Sequence, residues 1–137
     1  MLLALLALCG LLLAGCGGPG LATGPSTKLN VEMNEFSFTP MSFSVPAGKQ
    51  ITLQLKNSGS IQHDFIILKK GVVLQGKFDH EKQMDDVYFS AILDSGKADK
   101  FTFTAPTEPG TYVIVCGIAG HFQAGMTGTL TVVAPSE

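Results

Sequence analysis

The stretch Cys116-Gly-Ile-Ala-Gly-His121-Phe-Gln-Ala-Gly-Met126 places a thiol, an imidazole and a thioether within one short loop, separated mostly by glycines and other small residues. A blue-copper electron-transfer site combines these three ligand types with one further histidine. Thiolate and thioether favour Cu(I), while imidazole serves either oxidation state, so a site holding both can pass an electron without exchanging ligands. The candidate for the second imidazole is His63, far upstream at the head of an apolar run. A β-sandwich could carry it to the loop. The expected set is therefore His63, Cys116 and His121 as a trigonal group, with Met126 as a weak axial ligand.

The elements that must position these residues read as β. From Leu29 onward Val31 and Met33, then Phe36 and Phe38, alternate with polar residues, and the break at Asn34-Glu35 predicts a bulge or an edge twist. Phe43 and Val45 form a second short run, and Ile51, Leu53 and Leu55 alternate cleanly with Thr52, Gln54 and Lys56. His63 to Leu68 reads as a buried strand with a histidine at its head. Tyr112, Ile114 and Cys116 fall on one face of a later strand, which turns the thiol inward at a strand end. Gly117, Gly120 and Gly125 permit the tight backbone that returns two more ligands to that point. Leu130 and Val132 mark a closing strand. The fold class expected is all-β, an antiparallel Greek-key sandwich. Between Lys69 and Lys97 the period is weak; a loop is expected there, with a short helix near Glu81 to Phe89. His80 in that segment reads as a surface residue, and Met41 and Met84 as core.

The whole chain bounds the function. Its 137 residues suit one domain with a real core, and its net charge is -2. There is no arginine, and nine lysines are scattered among eleven acids, so no basic patch for nucleic acid is visible. A monomer is expected.

Leu2 to Ala14 is an apolar run too short to span a bilayer and suited to the hydrophobic part of an export signal. It runs into Leu13-Ala14-Gly15-Cys16, which resembles the bacterial lipobox and implies that Cys16 is acylated and residues 1–15 are removed. No Lys or Arg precedes the run, a departure from that pattern. Residues 16–28 then form a lipidated cysteine with a flexible Gly, Pro, Ser and Thr linker, and residues 29–137 form the folded domain. The expected location is the extracytoplasmic side of a bacterial membrane, by lipid anchor. Cys116 is left as the only thiol, with no disulfide partner in an oxidising compartment. A buried core cysteine is the bland explanation; His121 and Met126 following at short range favour a metal.

The spacing Cys116-x4-His121-x4-Met126, with Pro109-Gly110-Thr111-Tyr112 before it and Gly128-Thr129-Leu130-Thr131-Val132 after it, resembles the cupredoxins, in their auracyanin-like branch. The resemblance covers about Asn30 to Val133. It implies one type 1 copper per chain and single-electron carriage between redox proteins such as cytochromes or respiratory and photosynthetic complexes. Cupredoxins usually follow the first histidine ligand with Asn, whereas this chain has Asp64. That side chain is open between hydrogen bonding to the loop beyond Cys116, at Gly117, and a solvated acid. The resemblance also implies an apolar docking patch around the loop histidine, made here by Ile118, Ala119 and Phe122. Multicopper oxidases flank the cysteine with histidines, but Cys116 has Val115 and Gly117, and no serine lies in a nucleophile-elbow sequence. An electron carrier rather than an enzyme is expected, and an exported copper buffer or delivery protein is the alternative.

Overall fold

The computed structural model describes residues 24–135. The expected export signal, Cys16 and most of the linker lie outside them. Nine strands follow in order: β1 Lys28–Asn34, β2 Ser37–Thr39, β3 Ser42–Pro46, β4 Gln50–Asn57, β5 His63–Leu68, β6 Val87–Leu93, β7 Ala98–Thr104, β8 Gly110–Val115 and β9 Thr127–Val133. They form two sheets, ordered β2-β1-β4-β7 and β3-β9-β8-β5-β6. The all-β sandwich expected from the alternation is the observed fold.

The sheets are mixed. β1 runs parallel to β4 and β3 parallel to β9, while the other neighbours are antiparallel. The parallel pairs arise because the chain leaves the first sheet after β2, lays β3 on the second, and returns to place β4 beside β1. The irregularity at Asn34-Glu35 is neither bulge nor twist. It is a hairpin tip, because Asn34 pairs with Ser37 and Met33 with Phe38, so Glu35 and Phe36 turn the chain between β1 and β2.

The main core lies between the sheets and contains Val31, Met33, Phe38, Val45, Ile51, Leu53, Phe65, Ile67, Ile114, Leu130 and Val132. The alternating residues of each strand supply it, as a pleated strand with one buried face requires. β5 is the exception: all six of its residues are buried. Its Phe65 and Ile67 face the main core, while Ile66 and Leu68 join Phe78 and Val115 in a second cluster on the outer side of the sheet. The connection from Lys69 to Asp86 covers that outer cluster with Val72, Leu74 and Phe78. The loop expected from Lys69 to Lys97 ends at Asp86, because β6 occupies Val87–Leu93 and pairs with β5, and the short helix expected near Glu81 to Phe89 is a single 3-10 turn, Met84–Asp86. Met84 and Met41 are not core residues, being 67% and 57% exposed; of the methionines weighed, Met33 and Met126 are the buried ones.

Candidate metal centre

Register brings the distant residues together. In the antiparallel pair β5–β8, Ile66 lies opposite Val115 and Ile67 opposite Ile114. The start of β5 therefore sits at the end of β8, where the loop containing Cys116 begins. β9 starts at the same edge, since Thr127 pairs with Val115. His63 and Cys116 share the inward-facing parity of their strands, so both point between the sheets. His63, Cys116 and His121 are all buried, and one ligand atom of each lies within 4.8 Å of the others.

The loop that returns His121 is tied by its own backbone. Cys116 N–H donates to the Met126 carbonyl at 3.1 Å, Met126 N–H to the His121 carbonyl at 3.0 Å, and His121 N–H to the Ile118 carbonyl at 3.0 Å. Thr127 Oγ1 donates to the Ile114 carbonyl and locks the far end of the loop to β8. Gly120 and Gly125 take φ of 87° and 99°, the left-handed region where a side chain is disfavoured. Gly117 is required for space: a Cβ there would stand 2.9 Å from Ile66 Cδ1 and 3.2 Å from Asp64 Oδ2.

Both imidazoles present Nδ1 to the centre. The two Nδ1 atoms are 3.1 Å apart, and Cys116 Sγ lies 3.3 Å from His121 Nδ1 and 4.0 Å from His63 Nδ1. A trigonal set with nitrogen at about 2.0 Å and sulfur at about 2.3 Å from one ion would space the nitrogens by about 3.5 Å and each nitrogen from sulfur by about 3.7 Å. The donor atoms already stand near that triangle. Met126 is fully buried, and its backbone is bonded to both Cys116 and His121, which keeps its thioether at this end of the core. A buried set of one thiolate, two imidazoles and a nearby thioether fits a type 1 copper ion.

Burial also sets the protonation states of the metal-free centre. It lowers both histidines below the ordinary imidazole value, so each ring is neutral and has a lone pair for a metal. Burial, with the Asp64 charge behind it, pushes the Cys116 thiol up to about 12. Binding must therefore displace the thiol proton.

Asp64 is not a solvated acid. Its side chain points to the outer face of β5, is almost fully buried, and accepts the Gly117 N–H at 2.5 Å. Desolvation raises its own pKa. His80 is not an isolated surface residue either, because its ring stacks on Phe78 and its Nδ1 lies 4.0 Å from Asp64 Oδ2.

Of the expected docking residues, Ala119 is exposed and Ile118 half-buried against the main core. Phe122 is half-buried and packs on the outer cluster. The aromatic ring that meets His121 is Phe36, edge-on at 5.0 Å and 40% exposed. The broken alternation around Asn34-Glu35 was the only trace of it in the sequence, and strand periodicity does not say which site a hairpin tip will reach.

Comparison with known proteins agrees with this geometry. A family model described as a cupredoxin-like domain matches residues 2–132, and the chain belongs to that family. It is 31% identical to auracyanin-B of Chloroflexus aurantiacus over 78% of this chain, though it spans only 52% of that relative's length. It is 27% identical to the copper-resistant cuproprotein CopI of Pseudomonas aeruginosa, covering 85% of this chain and 81% of CopI. The crystal structure of reduced auracyanin from Roseiflexus castenholzii superposes with a TM-score of 0.69 at 31% identity, over 80% of this chain and 99% of that one. The cofactor of such a centre is one type 1 copper ion.

Proposed function

We propose that this protein is a single-electron carrier in which His63 Nδ1, Cys116 Sγ and His121 Nδ1 would hold one copper ion, with the Met126 thioether as a weaker fourth donor. The observation that carries the reading is the convergence of three buried donor atoms within 4.8 Å. Copper supplies a one-electron couple that such ligands hold in both oxidation states. The chain's residues keep the site's shape fixed. The backbone bonds closing the loop, the Asp64 to Gly117 bond and the absence of a side chain at Gly117 leave the ligands little freedom to rearrange. His121, 5% exposed, is the ligand nearest solvent, so electrons cross at its edge, beside Phe36, Ile118 and Ala119. The small apolar rim suits brief docking of a redox protein. No bond-making step on a substrate is part of this reading.

The same proposal places the domain outside the cytoplasm. Its support is the sequence alone: the apolar run Leu2 to Ala14, the lipobox-like Leu13-Ala14-Gly15-Cys16 and the linker that follows. Acylation at Cys16 would tether the domain to a bacterial membrane at a reach of about 18 Å. Mass spectrometry of the protein from its native membrane tests this, and an unmodified Cys16 would remove the tether.

The likeness to CopI favours a second reading, copper buffering or delivery. Such a protein needs exchangeable ligands, whereas His63 has no exposed surface. Two rates separate the readings on the copper-loaded chain: electron exchange with a small redox dye, and copper loss to a chelator. The carrier reading expects fast exchange and slow loss, and the reverse order would favour delivery.

A further inference from the structure

We propose that Glu35 is a positioning residue for His63, an outer carboxylate that fixes the imidazole's proton on Nε2 and lowers the reduction potential of the centre; this rests on the copper reading above. His63 Nε2 is buried and is the one buried side-chain polar atom, among the described residues, without a hydrogen-bond partner. An Nε2–H in that position needs an acceptor. A carboxylate stands close by, that of Glu35. The point where a Cβ on Gly59 would stand is 2.7 Å from Glu35 Oε1 and 2.9 Å from His63 Nε2, so the oxygen and the nitrogen border the same small space, which only a glycine leaves open.

The surrounding bonds hold that arrangement. Glu35 Oε1 accepts from both the backbone N–H and the hydroxyl of Ser60, which fixes the carboxylate against the turn. The turn itself is pinned from below. Asn57 Nδ2 donates to the carbonyls of Ile61 and Leu93, Asn57 Oδ1 accepts the Gly59 N–H, and Ser95 Oγ donates to the Gly59 carbonyl. Glu35 belongs to the hairpin tip whose next residue, Phe36, meets His121. One dipeptide therefore presents a carboxylate to one imidazole and a ring edge to the other. A carboxylate behind a metal-bound imidazole fixes the tautomer and raises its basicity, and a nearby negative charge favours the more positive oxidised ion.

Two measurements on the full chain test this. Redox titrations of the copper-loaded wild type, Glu35→Gln and Glu108→Gln give the first. Glu108 lies at the Lys70 and Tyr112 end, where it pairs with Lys70, so its neutralisation changes net charge equally. Glu35→Gln is expected to shift the balance toward Cu(I) about tenfold, 59 mV upward for a one-electron couple, while Glu108→Gln stays near wild type. Nitrogen-15 NMR of the histidines in the metal-free chain gives the second. His63 is expected to be protonated at Nε2 in the wild type and to mix tautomers in Glu35→Gln. Equal potentials in the two variants, or an unchanged His63 tautomer, would overturn the proposal. A wild type without a coloured copper site would instead overturn the copper reading, and the NMR arm would still decide whether Glu35 orients His63.

Discussion

The loop from Cys116 to Met126 and the connection from Lys69 to Asp86 are both stretches without a β-strand on the same five-stranded sheet, and they are held by different forces. The first is closed on itself by backbone hydrogen bonds and by Gly117, Gly120 and Gly125, and it turns Cys116 and His121 toward one another. The second has internal bonds too, but they gather mostly between Asp79 and Asp86, beyond the apolar residues that seat it on the sheet. Lys69 N–H reaches the Asp86 carbonyl to close its base, and Phe78, Val72 and Leu74 lay it on Ile66, Leu68 and Val115. One is rigid because of local geometry, the other is placed by burial. A ligand loop of this kind tolerates very little change at its own residues, while the connection behind it can lose an anchor at a cost in stability rather than in chemistry.

Substitutions in the loop carry the largest expected effects. Cys116→Ser is expected to abolish the visible charge-transfer band completely, since the thiolate is the charge donor. An absorption spectrum after copper addition checks this, and a surviving band would remove Cys116 from the centre. Next come the two histidines, which differ in access: His63 has no exposed surface and His121 has a little. Both alanine variants should lose most copper affinity, and added imidazole should restore colour in His121→Ala but not in His63→Ala. Rescue at both sites would mean that the inner ligand is more open than its burial allows.

Proton release gives the next effect. With the thiol at about 12 and both imidazoles held neutral below the ordinary value, copper binding at pH 7 displaces one proton, from Cys116. Affinity should therefore fall about tenfold for each unit that pH is lowered, and more steeply once the histidines begin to protonate. Competition titrations with a chelator of known pH dependence measure that slope, and a flat profile would mean the thiol is already ionised.

Phe78 anchors the connection rather than the loop. Phe78→Ala should cost about 3 kcal/mol of folding stability, the low end for a buried phenylalanine, while the copper-loaded variant keeps the colour of the wild type. Denaturant unfolding and a spectrum check the two halves, and a lost band with stability retained would show that the connection shapes the centre directly. The smallest effect is expected at Met126, where a weak axial ligand tunes potential more than it holds metal. Met126→Leu should raise the potential and Met126→Gln lower it, with copper kept in both. An unmoved potential in either would place the axial ligand elsewhere.

The same contrast explains what could be read from the sequence. Cys116, His121 and Met126 were legible because their chemistry is carried by residue type at short range, and Tyr112, Ile114 and Cys116 by strand parity. His63 needed a fold to reach the loop, and the clean alternation of Ile51, Leu53 and Leu55 supplied that class of fold. The connection from Lys69 to Asp86 had no such signal, because Phe78 is placed by a surface on β5 and β8 that only the assembled sheet creates. Phe36 and Glu35 were hidden for a related reason: a hairpin tip has no period of its own, and what it covers depends on where β1 lies beside β4.

We hold the buried His63, Cys116 and His121 triangle to be a copper centre that carries electrons. Its most direct test is a visible spectrum of the copper-loaded chain followed through a reversible redox titration. An intense thiolate-to-copper band that bleaches with one electron and returns unchanged is the result this account requires. A colourless complex, or a band that does not return on reoxidation, would contradict it.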